Sequence, residues 1–366
     1  MKISSLEART YRLPLERPFL AAWDPVPRTW FGETIVVVNT DVGAKGFCGG
    51  ASVPDLDLLS RFLTGVDPED TEAVFGVCET IDFHGGRNWT VEVAVWDLLA
   101  RSSQVPLWRL LGGATDRFRA YASTGERLDP SGRAERLVQW KEQGLGAAKI
   151  RFHQPDWRQD VKVVEAARDA VGEEMELMVD ANQGWRMPGD LAPRWDVSTA
   201  LDCARALAEL RVYWLEEPLE TTDIDGYRRL RDEAGVRIAA GEMVRSLPES
   251  KQLLDVVDVI QNDAVLAGGV TGCRRVAEWA KAAGKVWSPH TWSTGYGLLA
   301  NLNVALASST GEFLEVPFDP PAWPVEVRDF MLPEPTRLEN GWLVAPPGPG
   351  LGMEPDLYAL EKWRVS

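Results

Sequence analysis

Several function classes are excluded by what this chain has little of. Only three histidines and four cysteines occur among its 366 residues. Cys48, Cys78, Cys203 and Cys273 are far apart, without the paired spacing of a zinc knuckle or a disulfide framework, and read as reduced thiols of a cytoplasmic protein. No apolar run approaches the roughly 18 residues that a membrane-spanning helix needs. The opening Met1-Lys2-Ile3-Ser4-Ser5-Leu6-Glu7 has no apolar core of a secretory signal, so none is expected. Positive charge is scarce: 39 Lys and Arg against 55 Asp and Glu leave a net charge of −16. That balance opposes nucleic acids and anionic membranes as partners and leaves a small molecule. If the small molecule is an anion, positive charge must be gathered locally, and a bound cation would supply it.

Hydrophobic residues make up 45% and charged residues 26%, an ordinary globular balance. The length exceeds what one compact core organises, so a large domain with a smaller companion is expected. Short alternating runs such as Thr34-Ile35-Val36-Val37-Val38-Asn39-Thr40, then the turn at Gly43 to Gly50, predict antiparallel strands over the first forty residues. Between them, Ala21 to Pro27 is a Pro-rich loop carrying Trp23. From about Asp55 the period becomes helical, with Val91, Val95, Leu98 and Leu99 on one face, until Pro106 and Gly112-Gly113 break it. Residues 1–117 thus read as most of a small α+β domain.

A second rhythm fills residues 118–326. Eight strand candidates occur, namely Phe118–Ala122, Ala148–Phe152, Glu176–Asp180, Val212–Glu216, Ile238–Gly241, Val259–Gln261, Lys285–Ser288 and Phe313–Glu315. Helical stretches such as Ser131–Gln143, Trp157–Val171, Ser198–Leu210 and Gly272–Ala283 separate them. This alternation predicts a closed parallel barrel rather than an open sheet, since Tyr121–Gly125 is not the Gly-rich phosphate turn of a doubly wound fold. The Pro- and Gly-rich residues 327–366 are expected to return to the first domain.

Barrel strands deliver their carboxyl-terminal ends to one shared site. Read in order, those ends carry Lys149 and Arg151, Asp180, Glu216, Glu242, Asp263, His290 and Glu315. Packing gives no reason for such a series, and isolated buried charges are costly. Asp180, Glu216 and Glu242 come from three consecutive strands, at separations of 36 and 26 residues that each fit one helix-and-strand repeat. One such carboxylate could simply cap a helix. Three in register would repel one another unless a hard cation with oxygen ligands sat among them, and Mg²⁺ is the default, with Mn²⁺ as its substitute. Lys149 and Arg151, two apart on one strand, face the same way and are expected to point inward; Lys149 could be a base or could clamp a substrate carboxylate, whereas Arg151 stays protonated and suits anion binding. His153 continues the alternation just beyond the strand. Asp263 and His290 end neighbouring strands, and a carboxylate beside an imidazole suits a general base, although such pairs also occur as plain structure.

These residues resemble the enolase superfamily, specifically its mandelate racemase subgroup. The matching segments are Val179-Asp180-Ala181-Asn182-Gln183, Trp214-Leu215-Glu216-Glu217-Pro218, Ala240-Gly241-Glu242, Gln261-Asn262-Asp263 through Gly268-Gly269-Val270-Thr271, Ser288-Pro289-His290 and Phe313-Leu314-Glu315. Ala94-Val95-Trp96-Asp97 and Leu110-Leu111-Gly112-Gly113 extend the likeness into the first domain. The resemblance implies a modified TIM barrel of (β/α)₇β type with an α+β capping domain, and a symmetric homo-oligomer of the kind relatives often form. It further implies that Asp180, Glu216 and Glu242 are the Mg²⁺ ligands and that Asp263 and His290 form the general acid/base dyad. Glu315 then becomes the acid bonded to the substrate carboxylate, with Lys149 assisting there. The implied chemistry is abstraction of the proton alpha to a carboxylate, through an enediolate that the metal and hydrogen-bond donors stabilise.

Arg151 departs from the pattern, because racemases of this subgroup carry a second Lys there as the opposite base. That favours a lyase: dehydration of a sugar acid to a 2-keto-3-deoxy acid, ahead of a racemase or epimerase. Cycloisomerases related to muconate lactonising enzyme place a Lys at the sixth strand end, and Val256 to Gly269 contains none. That reading ranks third, with a non-catalytic acid-binding relative. Trp23 with its Pro-flanked neighbours is the candidate lid. Trp292, Asn182 and His153 are the remaining candidate substrate contacts.

Overall fold

The computed structural model describes residues 1–51 and 55–366. Five strands open the chain: β1 Ile3–Thr10, β2 Leu13–Phe19, β3 Arg28–Phe31, β4 Thr34–Thr40 and β5 Lys45–Gly50. β1, β4 and β5 form an antiparallel sheet, and β2 pairs with β3 as a separate ribbon. Helices α1 Leu56–Leu63, α2 Thr71–Gly85, α3 Trp89–Ser102 and α4 Leu107–Leu110 follow. Val91, Val95 and Leu98 of α3 are buried, but so is nearly every other position of that helix. The amphipathic stripe expected from the sequence is therefore too narrow. α3 lies between the capping sheet and the barrel, so its polar residues are also covered.

The second unit alternates strand and helix: β6 Arg117–Ser123, α5 Pro130–Glu142, β7 Ala147–Arg151, α6 Trp157–Val171, β8 Glu176–Asp180, α7 Val197–Glu209, β9 Leu215–Glu216 and α8 Ile224–Glu233. It continues with β10 Ile238–Ala240, α9 Leu247–Leu254, β11 Val259–Ile260, α10 Gly269–Ala282, β12 Val286–Trp287, α11 Gly295–Ala307 and β13 Leu314–Pro317. β6 to β12 pair in parallel with their chain neighbours, and β13 returns to pair with β6. Between β12 and β13 the Ser288 hydroxyl donates to Phe313 O at 2.7 Å. Eight strands with seven intervening helices make the (β/α)₇β barrel. The fourth strand, Leu215–Glu216, is shorter than its apolar run because Arg211 takes φ +52° and turns the chain, although Tyr213 N already donates to Leu177 O of β8 at 2.7 Å.

Period-two alternation sets what faces the barrel axis. Tyr121, Ala147, Met178, Ala239 and Val259 on their strands, with Trp214 and Phe313 just before β9 and β13, pack together as an interior floor. Two residues further along these strands come Ser123, Lys149, Asp180, Glu216, Gln261 and Glu315, so the layer above the apolar floor is polar. Arg151 and Asp263 stand one step higher. Glu242 is out of phase with Ala239, and Gly241 between them, at φ +120°, makes the adjustment.

After β13 the chain forms α12 Val325–Arg328, β14 Arg337–Glu339, β15 Trp342–Val344 and α13 Leu357–Leu360. β15 pairs antiparallel with the start of β6, and Val365 N donates to Thr10 O at 2.9 Å beside β1.

Two buried capping-domain carboxyls join the units. Glu92 of α3 accepts from Val270 N (2.8 Å), Thr271 N (3.2 Å) and Thr271 Oγ1 (2.5 Å), satisfying the otherwise unpaired amides at the start of α10. Gly269 there has φ +63°, and a Cβ on it would lie 2.1 Å from Glu92 Oε2, so only glycine admits the contact. Glu33 receives the hydroxyl of Thr294, the N-cap residue of α11.

Removing the Glu92 carboxylate leaves the α10 amides buried without partners, so Glu92→Ala should cost about 3 kcal/mol in urea unfolding. Glu165→Ala, on the exposed face of α6, should cost under ~0.5 kcal/mol. Equal effects would contradict this account of the junction. Burial pushes Glu33 and Glu92 up to about 7, and Asp97 and Asp160 up to about 6. An unfolded chain releases those protons near pH 4, so the folded chain holds more of them between pH 5 and pH 7. Stability should therefore fall as pH rises through that window. A urea midpoint higher at pH 8 than at pH 5.5 would refute this.

Candidate active site

Six buried carboxyl groups, Asp180, Glu216, Glu217, Glu242, Asp263 and Glu315, lie at the carboxyl-terminal end of the barrel. Lys149 Nζ reaches Glu216 Oε1 at 2.6 Å, Glu315 Oε1 at 2.9 Å and Asp180 Oδ2 at 3.8 Å. The Arg151 guanidinium pairs with Asp180, reaches Glu315 Oε1 at 3.1 Å and Asn182 Oδ1 at 3.2 Å, and donates through Nε to Thr124 O at 3.0 Å. Both side chains point inward, as their shared strand face predicts. Burial alone would discharge Lys149, but Glu216 and Glu315 outweigh it and push the ammonium up. Lys149 is held as an ammonium between Glu216 and Glu315, which fits the clamp of its two candidate roles. Arg151 is likewise held above its ordinary value, burial being overcome by Asp180 and Glu315.

Asp180, Glu216 and Glu242 each offer an oxygen, and these oxygens lie within 4.8 Å of one another. All three residues are buried, and Glu242 Oε2 has no hydrogen-bond partner among the described residues. An all-oxygen, anionic, converging donor set with a spare buried oxygen fits a hard divalent cation. Two permanent cations do not balance six carboxyls, and burial pushes Glu216 and Glu217 up, Glu217 further because Glu242 is near.

His290 and Asp263 meet as the strand order predicts. His290 Nδ1 is 3.0 Å from Asp263 Oδ2, while Asp263 Oδ1 accepts from Val265 N and Asn301 Nδ2, both at 2.9 Å. Asp263 is thereby fixed, and it assigns the ring proton to Nδ1. Nε2 is left facing the carboxylate triad, 3.5 Å from Glu242 Oε2. Burial would lower the imidazole, but Glu242, Glu315 and Asp263 outweigh it and raise His290 to about 9. A cation among the carboxylates would cancel the Glu242 contribution and bring the ring back toward the neutral, base-competent form.

Glu315 accepts from Thr291 N at 2.7 Å and Ser123 Oγ at 2.5 Å. Although burial opposes it, Lys149, His290 and Arg151 hold its carboxyl well below the usual carboxylate range. Trp23 and Trp292 pack edge to face with centroids 4.7 Å apart, and the Arg151 guanidinium lies 4.5 Å and 5.3 Å from their rings. The loop carrying Trp23 is tied to the barrel by Ala22 N donating to Gly125 O at 2.8 Å. Asn182 Nδ2 donates to Phe152 O at 3.0 Å. His153 stands apart from these six carboxyls, with Nδ1 3.3 Å from Asp160 Oδ1; with Trp23 and Asn182 it lines an adjoining cavity of about 430 Å³.

Several residues at the site escaped sequence reasoning. Ser123 ends the first strand, but a serine at a strand end carries no distinguishing signal. Trp185, whose indole bonds Glu242, sits in a loop whose path is not periodic. Asn301 lies on α11, 38 residues from the Asp263 it orients. Glu217 could have been found, since it neighbours Glu216 and precedes a proline.

The profile of the enolase C-terminal domain-like family matches residues 132–359. D-gluconate dehydratase of Thermoproteus tenax is 32% identical over 92% of this chain and 71% of its own length. D-galactarolactone cycloisomerase of Agrobacterium fabrum is 28% identical over 100% of this chain and 99% of its own. The crystal structure of an L-talarate/galactarate dehydratase variant, liganded with Mg and L-glucarate, superposes with a TM-score of 0.84 at 25% identity, over 100% of this chain and 92% of that one. Such relatives comprise both lyases and isomerases, one of them is liganded with Mg, and this chain has an acidic triad that could hold a metal. The chain belongs to the enolase superfamily, in its mandelate racemase subgroup.

Proposed function

We propose that this protein is a Mg²⁺-dependent lyase that dehydrates a sugar acid to a 2-keto-3-deoxy acid. The observation that carries this reading is one-sidedness. His290 with Asp263 offers a titratable base on one side of the carboxylate triad, whereas the Lys149 strand offers Arg151 next, a guanidinium that Asp180 and Glu315 keep charged. Asp180, Glu216 and Glu242 would hold the metal, which when bound lends positive charge to a substrate carboxylate as its alpha proton leaves.

The remaining work belongs to the chain. Lys149 grips the substrate carboxylate and orients the alpha C–H bond toward His290 Nε2, and Glu315 joins that grip as the protonated acid once the substrate carboxylate has drawn the ammonium away from it. His290 takes the proton, and the C–H electron pair moves into the carboxylate system as an enediolate. Its collapse breaks the C–O bond to the β-hydroxyl, which takes the proton from the His290 imidazolium and leaves as water. The resulting enol tautomerises to the 2-keto acid. Asp263, held by Asn301 and Val265, keeps the imidazole in the tautomer this requires.

Isomerisation is the second reading, a racemase or epimerase first and then a cycloisomerase, for which the full-length likeness to D-galactarolactone cycloisomerase is the support. A racemase or epimerase would wash solvent deuterium into the alpha position and yield product of inverted configuration.

With a panel of sugar acids and Mg²⁺, semicarbazide should detect 2-keto acid, and His290→Asn should lower kcat by about 10³-fold or more. Turnover surviving in that variant would overturn the proposed base. Chelation with EDTA should abolish activity and added Mg²⁺ should restore it, while Glu242→Gln should raise the Mg²⁺ concentration for half-activity by at least about tenfold. Full activity in EDTA would contradict the metal role.

A further inference from the structure

The cavity beside the carboxylates has a charge unlike that of the rest of the molecule. In a protein of net charge −16, three guanidiniums, Arg127, Arg186 and Arg194, line it. Two carboxylates share the wall, but Asp24 is already taken by Arg28 from outside the lining. The other, Asp190, lies 3.4 Å from Arg186 Nε, a buried atom that has no hydrogen-bond partner among the described residues. Arg127 spends its bonds on the carbonyls of Ala21, Ala22 and Asp24 and has no carboxylate within 4 Å among the described residues. Arg194 has a carboxylate only at 3.7 Å, on Glu220 outside the cavity. Arg127, which is exposed, is held by backbone oxygens alone, Arg186 divides its bonds between Asn182 O, Gln183 Oε1 and Asp190, and the exposed Arg194 meets only a distant carboxylate, so the wall keeps a positive excess that an anion can engage.

The cavity is joined to the reacting centre through one residue. Asn182 takes the Arg151 guanidinium on its side-chain oxygen at 3.2 Å and that of Arg186 on its backbone oxygen at 2.8 Å. Trp185, next to Arg186, bonds the carboxylate of Glu242. A molecule held by its carboxylate at Lys149 would thus extend past Asn182 toward Arg186 and Arg127. Along that path His153 contributes a neutral imidazole, its basicity lowered by burial and by Arg127, which suits a hydroxyl.

We infer that this cavity receives a second anionic terminus, and that the preferred substrate is a sugar acid charged at both ends, either a diacid or a phosphorylated monoacid. The inference rests on the dehydratase reading only for which end reacts. A simple aldonic acid would present a neutral hydroxymethyl group to three arginines and forgo their attraction.

Steady-state kinetics with a six-carbon aldarate, the matching aldonate and its 6-phosphate should test it. One of the two doubly charged acids should exceed the aldonate in kcat/KM by at least about tenfold, a gap expected of one charge-assisted contact, and which of them does so identifies the anion. Arg186→Gln should reduce that ratio about tenfold, with Arg186→Lys retaining part of it; if Arg186→Gln fails to fold by circular dichroism, Arg127→Gln replaces it. Calorimetry with Mg²⁺ and the unreactive pair adipate and hexanoate should show adipate at least tenfold tighter in the wild type and not in the variant. An aldonate turned over as well as either partner, with adipate no tighter than hexanoate, would overturn the inference and leave the dehydratase reading standing. If no acid turns over, Arg186-dependent adipate binding would sustain the inference while removing that reading.

Discussion

Mutual repulsion among buried carboxylates is the constraint around which this molecule is arranged. Asp180, Glu216 and Glu242 are carried to within one ion's reach by three consecutive strands, with Glu217, Glu315 and Asp263 close behind. Water cannot screen them there, so cations must. Lys149 and Arg151 supply two, and in this structure they lean on Asp180 and Glu216, the same residues that would hold a metal. Metal and side-chain cations therefore act on overlapping oxygens, and the basicity of His290 depends on how that competition resolves.

The barrel can tolerate this because the polar layer rests on an apolar one. Tyr121, Trp214 and Phe313 with their small neighbours close the floor, and the charged residues begin two positions higher on the same strands. The capping domain stabilises the upper end in turn. Glu92 and Glu33 engage the first residues of α10 and α11, the helices that follow the strands bearing Asp263 and His290. Trp23 crosses from the same domain onto Arg151. Domain docking and the geometry of the base are thus linked through short runs of chain.

Much of this was legible in the sequence because a parallel barrel converts position along a strand into position in space. The order Lys149, Asp180, Glu216, Glu242, Asp263, His290, Glu315 maps onto consecutive strands, and the strands themselves, Glu176–Asp180 for instance, lie where the apolar runs stand. What stayed hidden depends on side chains arriving from elements with no register to the barrel. Glu92 meets α10 across 178 residues of chain, and neither the helix period nor the composition marks it. Trp185 and Arg186 sit in an irregular segment whose path is set by Asn182 at φ +51° and by Gly184, which packs against Glu217. His153 continues the alternation of its strand, yet it lies beyond the last paired residue and turns into the adjoining cavity.

The central claim is that the three strand-end carboxylates share one divalent ion. Anomalous scattering from crystals grown with Mn²⁺ in place of Mg²⁺ addresses it directly. The account predicts a single strong peak enclosed by Asp180, Glu216 and Glu242, with the Arg151 guanidinium drawn away from Asp180. A peak elsewhere, or none while Arg151 keeps its hold on Asp180, would contradict it.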